Sequence, residues 1–110
     1  MDQCEFCHVE HGVAVPCIHL NGSPAENLRD DLNAAAHAVE TAIAAVVTAA
    51  PNGRDYYVLP GNAMLQVSRE HEKRLKLLHD VRGQLVEMLD HVQAVIDFKE
   101  EQRRARRNAR

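Results

Sequence analysis

The side chains best able to bind a metal are concentrated at the start of the chain. All three cysteines, Cys4, Cys7 and Cys17, and three of the seven histidines lie within the opening MDQCEFCHVEHGVAVPCIHLNG. Cys4 and Cys7 have the C-x2-C spacing of a zinc knuckle, and Cys17 with His19 supplies a second pair of ligands. This Cys3His set predicts a structural Zn2+ site, because four protein ligands leave no coordination position open for water.

Other interpretations of the opening segment stay open. His8 and His11 compete with His19 for the fourth ligand position, and without a metal the three thiols would sit in a flexible tail. A redox C-x-x-C is less favoured, because such motifs follow a strand at a helix N-terminus. The pieces 8–10 and 16–17 look like parts of the nucleobase-deaminase signature, but they lie only five residues apart and lack a scaffold for a base pocket.

Helix signals place most of the remaining chain in two helices. Ser23-Pro24-Ala25-Glu26 has the form of a capping box, which predicts a helix over residues 24–49. Its apolar side chains recur every three or four residues and form one seam. The members of that seam are Leu28, Leu32, Ala35, Val39, Ile43, Val46 and Ala50.

Turn residues at both ends delimit a connector over 51–62, and Asn62 is expected to cap a second helix over 63–104. The second helix has a main apolar seam that further apolar residues widen, so it offers a surface to the first helix and to a neighbouring subunit. The main seam comprises Leu75, Leu78, Leu85, Leu89, Val92 and Ile96, and the widening residues are Leu77, Val81, Met88 and Val95. The lone Gly83 either weakens this helix or marks a close helix crossing.

Helix lengths predict the architecture. At 1.5 Å per residue, the second helix would overhang the first by about 20 Å in an antiparallel hairpin. The overhang lies beside the Cys/His segment, which we therefore expect to fold back on Val92, Val95, Ile96 and Phe98. The expected fold is all-α: an antiparallel two-helix hairpin over 23–104 with a small zinc-binding segment over 1–22.

Composition and charge limit the functional classes. The 110 residues are 45% hydrophobic but only 4% aromatic, which suits thin helix packing and assembly into a helical-bundle homo-oligomer. Five arginines lie between Arg103 and Arg110, and removing their charge from the net −3 leaves −8 for the rest. Nucleic acid could therefore contact only this basic end, whose last part, 105–110, is expected to be a tail. No apolar run is long enough for a membrane span, and a cytoplasmic location is expected.

The connector holds both tyrosines of the chain beside two charged residues, in the order Arg54, Asp55, Tyr56 and Tyr57. One interpretation is structural: the tyrosines cap the open end of the helix pair, and Asp55 pairs with Arg54 or caps a turn. The other is a ligand-binding loop, in which a tyrosine stacks on a flat ring and Arg54 binds a phosphate or carboxylate.

Three landmarks carry a resemblance to a known kind of protein. The segments 18–23 (IHLNGS) and 51–57 (PNGRDYY), with Glu70-His71 and Arg74-Leu75, resemble those of short phage and prophage helical-hairpin proteins of uncharacterised function. The resemblance covers residues 18–98, although HLNGTS is expected where this chain has HLNGSP. It implies a phage accessory protein in the host cytoplasm and adds Asn21, His71 and Arg74 to the candidate ligand-binding residues.

Function is expected to be binding rather than catalysis, because the sequence shows no nucleophile with a base, no paired carboxylates in a cleft and no phosphate loop. The favoured hypothesis is an anti-defence protein that sequesters a small anionic, nucleotide-like ligand at an oligomer interface. The alternatives are a zinc-containing nucleic-acid-binding or regulatory protein, and an inhibitor that binds a host protein through a helix face.

Overall fold

The computed structural model describes residues 12–19 and 22–109 and shows two long helices. Helix α1 spans Ala25–Thr48, helix α2 spans Ala63–Asn108, and a short 3-10 helix, Gly53–Asp55, lies between them. Over these residues there is no strand, so the expected all-helical hairpin is confirmed at this level. Neither helix combines the length and the apolar character that crossing a bilayer requires.

The start of α1 differs from the expected capping box. The Pro24 carbonyl accepts hydrogen bonds from the N–H groups of Asn27 and Leu28, each at 3.1 Å. Pro24 therefore occupies the cap position and helical structure begins at Ala25, one residue later than expected. Glu26 then stands too early in the helix to bond back to Ser23, and within the described residues no hydrogen bond joins the two.

At the start of α2, the cap and turn residues take the positions that the sequence predicts. The Asn62 carbonyl accepts from the Gln66 N–H at 3.0 Å, which places Asn62 at the cap of α2. Gly61, just before it, has a φ of +72°, a conformation that glycine adopts without strain. Helix α2 continues to Asn108 instead of ending at 104, because arginine favours helix and its charge is stabilised at a helix C-terminus.

The chain divides into two compact units. Unit 1 comprises Met1–Ala36 with Gly83–Arg110, and unit 2 comprises His37–Arg82. The core of unit 1 consists of Ala25, Val92 and Ile96. Ile18, Leu28 and Leu32 are half-buried against that core.

Unit 2 is held together more loosely. Its seam residues Val39, Ile43 and Val46 are only half-buried, and none of its residues reaches the burial of the unit 1 core. The carboxylate of Glu40 lies 2.6 Å from the Arg82 guanidinium. Several large apolar side chains stay exposed: Val47, Tyr57, Val58, Leu59, Met64, Leu65, Leu77 and Val81.

Gly83 does not mark a close helix crossing. A Cβ atom built at this position would meet nothing within 4 Å among the described residues. Of the two explanations that the sequence left open, the structure therefore favours a weak point in α2.

Candidate functional site

The described part of the N-terminal segment lies along α2 and is fixed at three points. The Gly12 N–H donates to Oε1 of Glu87 at 2.8 Å, and Nε2 of His91 lies 3.0 Å from the Pro16 carbonyl oxygen. Because a carbonyl only accepts, His91 carries its proton on Nε2 and donates it. Further along, Ile18 packs against the core of unit 1.

Part of the expected fold-back lies within the described residues. Ile18 lies against the cluster that contains Val92 and Ile96. Val95 is buried, whereas Phe98 keeps 43% of its surface exposed. The main anchor on the helix is His91, which the sequence left unassigned; it is only 6% exposed. The sequence signal for this role was the position of His91 directly before Val92, which belongs to the apolar seam.

Cys17 and His19 lie on the exposed side of this anchored segment, while Ile18 between them is half-buried. Cys17 is a free thiol. The anchored backbone thus presents a sulfur and an imidazole, two residues apart, without burying either. This arrangement fits half of a Cys3His zinc site.

Cys4 and Cys7, with the competing His8 and His11, lie outside the described residues. Among the described residues, no group of three or more His, Cys, Asp or Glu side chains could hold a metal ion. The zinc site therefore stays a prediction.

The two described residues of the HLNG landmark, His19 and Gly22, lie close together, with the imidazole ring against the backbone. The Gly22 N–H donates to the His19 carbonyl at 3.1 Å. A Cβ added to Gly22 would lie 2.9 Å from Nε2 of His19, so the absence of a side chain permits this close approach. Asn21 lies outside the described residues.

A cleft of about 490 Å³ opens beside His19 and Gly22, at the start of α1. Its charged lining residues are Lys99 and Arg103, one turn apart on α2, with Glu26 and Glu100. Over the part of the chain that the structure describes, neither Lys99 nor Arg103 forms an ion pair. The remaining lining residues are Ile18, His19, Gly22, Ser23, Pro24, Ala25 and Ile96.

Sequence reasoning did not identify Lys99 or Glu100 as site residues, and it counted Arg103 only as part of the basic end. The spacing of Lys99 and Arg103 places both on one helix face, and the predicted fold-back passes nearby. Those two observations together were the available signal. The first turn of α1 adds backbone N–H groups and the positive end of a helix dipole.

The predicted ligand-binding loop in unit 2 has an ordinary turn structure. The Asn52 side chain accepts from the Arg54 N–H at 2.9 Å, so Asn52 and not Asp55 caps the turn. Arg54 and Asp55 are exposed, and Tyr57 is 80% exposed, while Tyr56 is half-buried. These exposed groups are accessible to a ligand, but they line none of the clefts described for either unit.

His71 and Arg74 lie on α2 within unit 2. His71 is half-buried, and Arg74 pairs loosely with Glu70 of the same helix at 3.9 Å. A more open cleft of about 430 Å³ is lined by residues between positions 60 and 73, and its cations are Arg69 and Lys73. It is built from one continuous stretch of chain, whereas the cleft in unit 1 joins residues before position 27 with residues of α2 that lie 70 or more positions later.

The unit 1 cleft offers cations that attract negative charge and carboxylates that accept hydrogen bonds. Lys99 and Arg103, which form no ion pair among residues 12–19 and 22–109, and the N-terminus of α1 attract negative charge. The two carboxylates of the cleft accept hydrogen bonds from donor groups of a ligand.

Comparison with known proteins finds no matching family model, no matching curated protein and no matching solved structure.

Proposed function

We propose that this chain is a non-enzymatic binding protein that holds a small anionic, nucleotide-like ligand in the unit 1 cleft. The observation that carries the proposal is the pair Lys99 and Arg103, which line the cleft without an ion-pair partner among the described residues. A volume of about 490 Å³ lies within the usual range for small-molecule sites.

The carboxylates of Glu26 and Glu100 narrow the ligand class. Both carboxylates repel a simple anion such as phosphate, and this repulsion offsets part of its attraction to Lys99 and Arg103. A nucleotide carries a phosphate together with amino and hydroxyl donors, so it uses both kinds of lining group. We therefore expect nucleotides to bind more tightly than inorganic phosphate.

The test is isothermal titration calorimetry with inorganic phosphate and with linear and cyclic nucleotides. Arg103→Gln should weaken nucleotide binding at least tenfold, since a hydrogen bond to a charged group contributes about 1.5–3 kcal/mol. Arg104→Gln is the matched control, because it removes the same charge from the adjacent residue, which does not line the cleft. Equal losses in both variants, or no nucleotide binding by the unmodified chain, would refute the proposal.

The second cleft provides a further arm of the same experiment. Arg69→Gln and Lys73→Gln remove the cations that line it. Nucleotide affinity should be unchanged in both variants. If these variants lose binding and Arg103→Gln does not, then the ligand binds in unit 2 and the unit 1 assignment is wrong.

The N-terminal segment is proposed to hold one structural zinc ion through Cys4, Cys7, Cys17 and His19. In support, Cys17 and His19 are exposed on a segment that His91 and Ile18 anchor to α2. A zinc ion would supply a fixed cross-link from the first residues to the start of α1. Because His19 also lines the cleft, the zinc ion would hold one wall of the ligand site in place.

Zinc content per chain, measured by native mass spectrometry, tests this site. One zinc per chain is expected, lost in Cys7→Ser and in His19→Ala, and kept in His37→Ala, which changes an exposed histidine of α1. If His8→Ala or His11→Ala loses zinc while His19→Ala keeps it, then the fourth ligand is that histidine and not His19. A chain purified without zinc that also fails to take it up would refute the site.

The proposed biological role is sequestration of a nucleotide signal by a phage-type accessory protein in the host cytoplasm. The HLNG and PNGRDYY landmarks support the phage context only as a resemblance. Nucleic-acid binding is the second candidate, favoured by the exposed, helical Arg103, Arg104, Arg106 and Arg107. The −8 charge of the remaining chain opposes it. Mobility shifts at low salt that vanish on deletion of 103–110 would support this candidate.

A further inference from the structure

Six residues of α2 in unit 2 follow the spacing of a coiled-coil seam. They are alternately four and three positions apart, as the a and d residues of heptads are. We name them the α2 stripe: Ala63, Val67, Glu70, Arg74, Leu77 and Val81.

The α2 stripe is symmetric about residue 72. Read from its two ends inward, Ala63 corresponds to Val81 and Val67 to Leu77, apolar with apolar. At the centre, the acidic Glu70 corresponds to the basic Arg74. Each d residue of the stripe therefore corresponds to an a residue. In an antiparallel coiled coil, the a residues of one helix face the d residues of the other.

Two apolar residues at the C-terminal end of this stripe keep much of their surface exposed. Leu77 is 65% exposed and Val81 is 46% exposed, although both lie inside a long helix. In unit 1, by contrast, Val92 and Val95 of the same helix are buried. Exposed aliphatic side chains at seam spacing are typical of a helix that binds another helix.

We propose that the α2 stripe binds the α2 stripe of a second copy of this chain, antiparallel and about a two-fold axis near residue 72. A two-fold interface requires a self-complementary patch, and the symmetry of the stripe meets that requirement. Each Glu70 then faces the partner's Arg74, in addition to the loose pair that it forms within its own helix at 3.9 Å.

The charge of unit 2 also favours a second copy over a strongly charged partner. Residues 37–82 contain six Lys or Arg and five Asp or Glu, so two copies approach with almost no net repulsion. The central Glu70 and Arg74 pairs fix the direction, because a parallel pairing would place Glu70 against Glu70 and Arg74 against Arg74.

The size of the stripe predicts a weak dimer. From Ala63 to Val81 the helix rises about 27 Å, which with a helix diameter of about 10 Å gives a face of roughly 270 Å². A standard stable interface takes about 800 Å² from each partner. We therefore expect a weak dimer whose population rises with protein concentration. This inference does not depend on the ligand-binding proposal for unit 1.

Sedimentation velocity of the full-length chain, between about 5 and 200 µM in reducing buffer, tests the proposal. The unmodified chain should pass from one-chain to two-chain mass across this range. Glu70→Arg and Arg74→Glu should each weaken the dimer at least tenfold, because each places like charges together at both symmetric contacts. Glu72→Arg is the matched control, since it makes the same change two residues away, on the other side of α2.

Two combinations restore complementarity. An equimolar mixture of Glu70→Arg and Arg74→Glu chains should form a heterodimer, and the double variant should dimerise like the unmodified chain. Circular dichroism verifies that each variant keeps its helix content. The proposal is overturned by a chain that is monomeric throughout, by equal effects of Glu70→Arg and Glu72→Arg, or by a mixture that stays monomeric.

Discussion

Replacing His91 tests how the N-terminal segment is held in place. The side chain is buried, and its Nε2 donates to the Pro16 carbonyl at 3.0 Å. His91→Leu substitutes an apolar side chain of similar size and removes the donor. His91→Gln keeps an amide N–H donor at a similar reach. The two variants therefore separate the hydrogen bond from the packing.

Leaving a buried acceptor without a donor costs about 1–3 kcal/mol. Pro16 is half-buried, so water can partly replace the histidine, and the lower half of that range is expected. The free energy of unfolding should fall by about 1–2 kcal/mol in His91→Leu. His91→Gln should lose less than half as much.

Urea unfolding followed by circular dichroism measures the global effect, and amide hydrogen exchange measures the local one. The Gly12 amide, which donates to Glu87, reports whether the segment leaves α2. It should exchange about tenfold faster in His91→Leu, since about 1.4 kcal/mol corresponds to a factor of ten.

His79→Leu is the control, because His79 is an exposed histidine of the same helix. It should leave both the stability and the Gly12 exchange rate close to those of the unmodified chain. Equal losses from His79→Leu and His91→Leu would refute the reasoning. So would an unchanged Gly12 exchange rate in His91→Leu.

Three further predictions concern the helices. Val92→Ala should lower the free energy of unfolding by about 2 kcal/mol, since Val92 is fully buried, whereas Val47→Ala at a 53% exposed position should cost under half as much in the same urea series. Gly83→Ala should stabilise the chain by about 0.5–1 kcal/mol. Gly61→Ala should destabilise it, because of the two glycines only Gly61 has a positive φ, although the space around both is equally open. The melting temperatures of the two variants should therefore shift in opposite directions. A double-mutant cycle on Glu40 and Arg82, both about half exposed, should give a coupling of about 0.2–1 kcal/mol that falls in 1 M salt, and a coupling that salt leaves unchanged would contradict this assignment.

Local chemistry made the helices predictable. The spacing of apolar side chains identified both helices, and turn residues limited their ends; α1 runs Ala25–Thr48 where 24–49 was expected. The larger difference is at the far end of α2, which continues to Asn108. We expected the helix to end at 104 and a basic tail to follow over 105–110, but helix propensity and the C-terminal dipole favour helix without any burial.

The cleft was not predictable in the same way, because it depends on contacts between distant parts of the chain. Lys99 and Arg103 line the cleft with His19 and Gly22, some 80 positions earlier, and their spacing marks them as site residues only once the fold-back of the N-terminal segment is known. Burial also distinguishes histidines that the sequence treats alike. His91 anchors the N-terminal segment, whereas His37 and His79 stay exposed.

The sequence by itself determined the helix content, the turns, the charge distribution and the cysteine spacing, since each depends on neighbours within a few residues. Only the tertiary structure decided which polar groups meet. It placed Pro16 against His91 and Gly12 against Glu87, each pair 75 residues apart. It also left Leu77 and Val81 uncovered. Periodicity shows that a helix face is apolar, but only packing shows whether the chain itself covers that face.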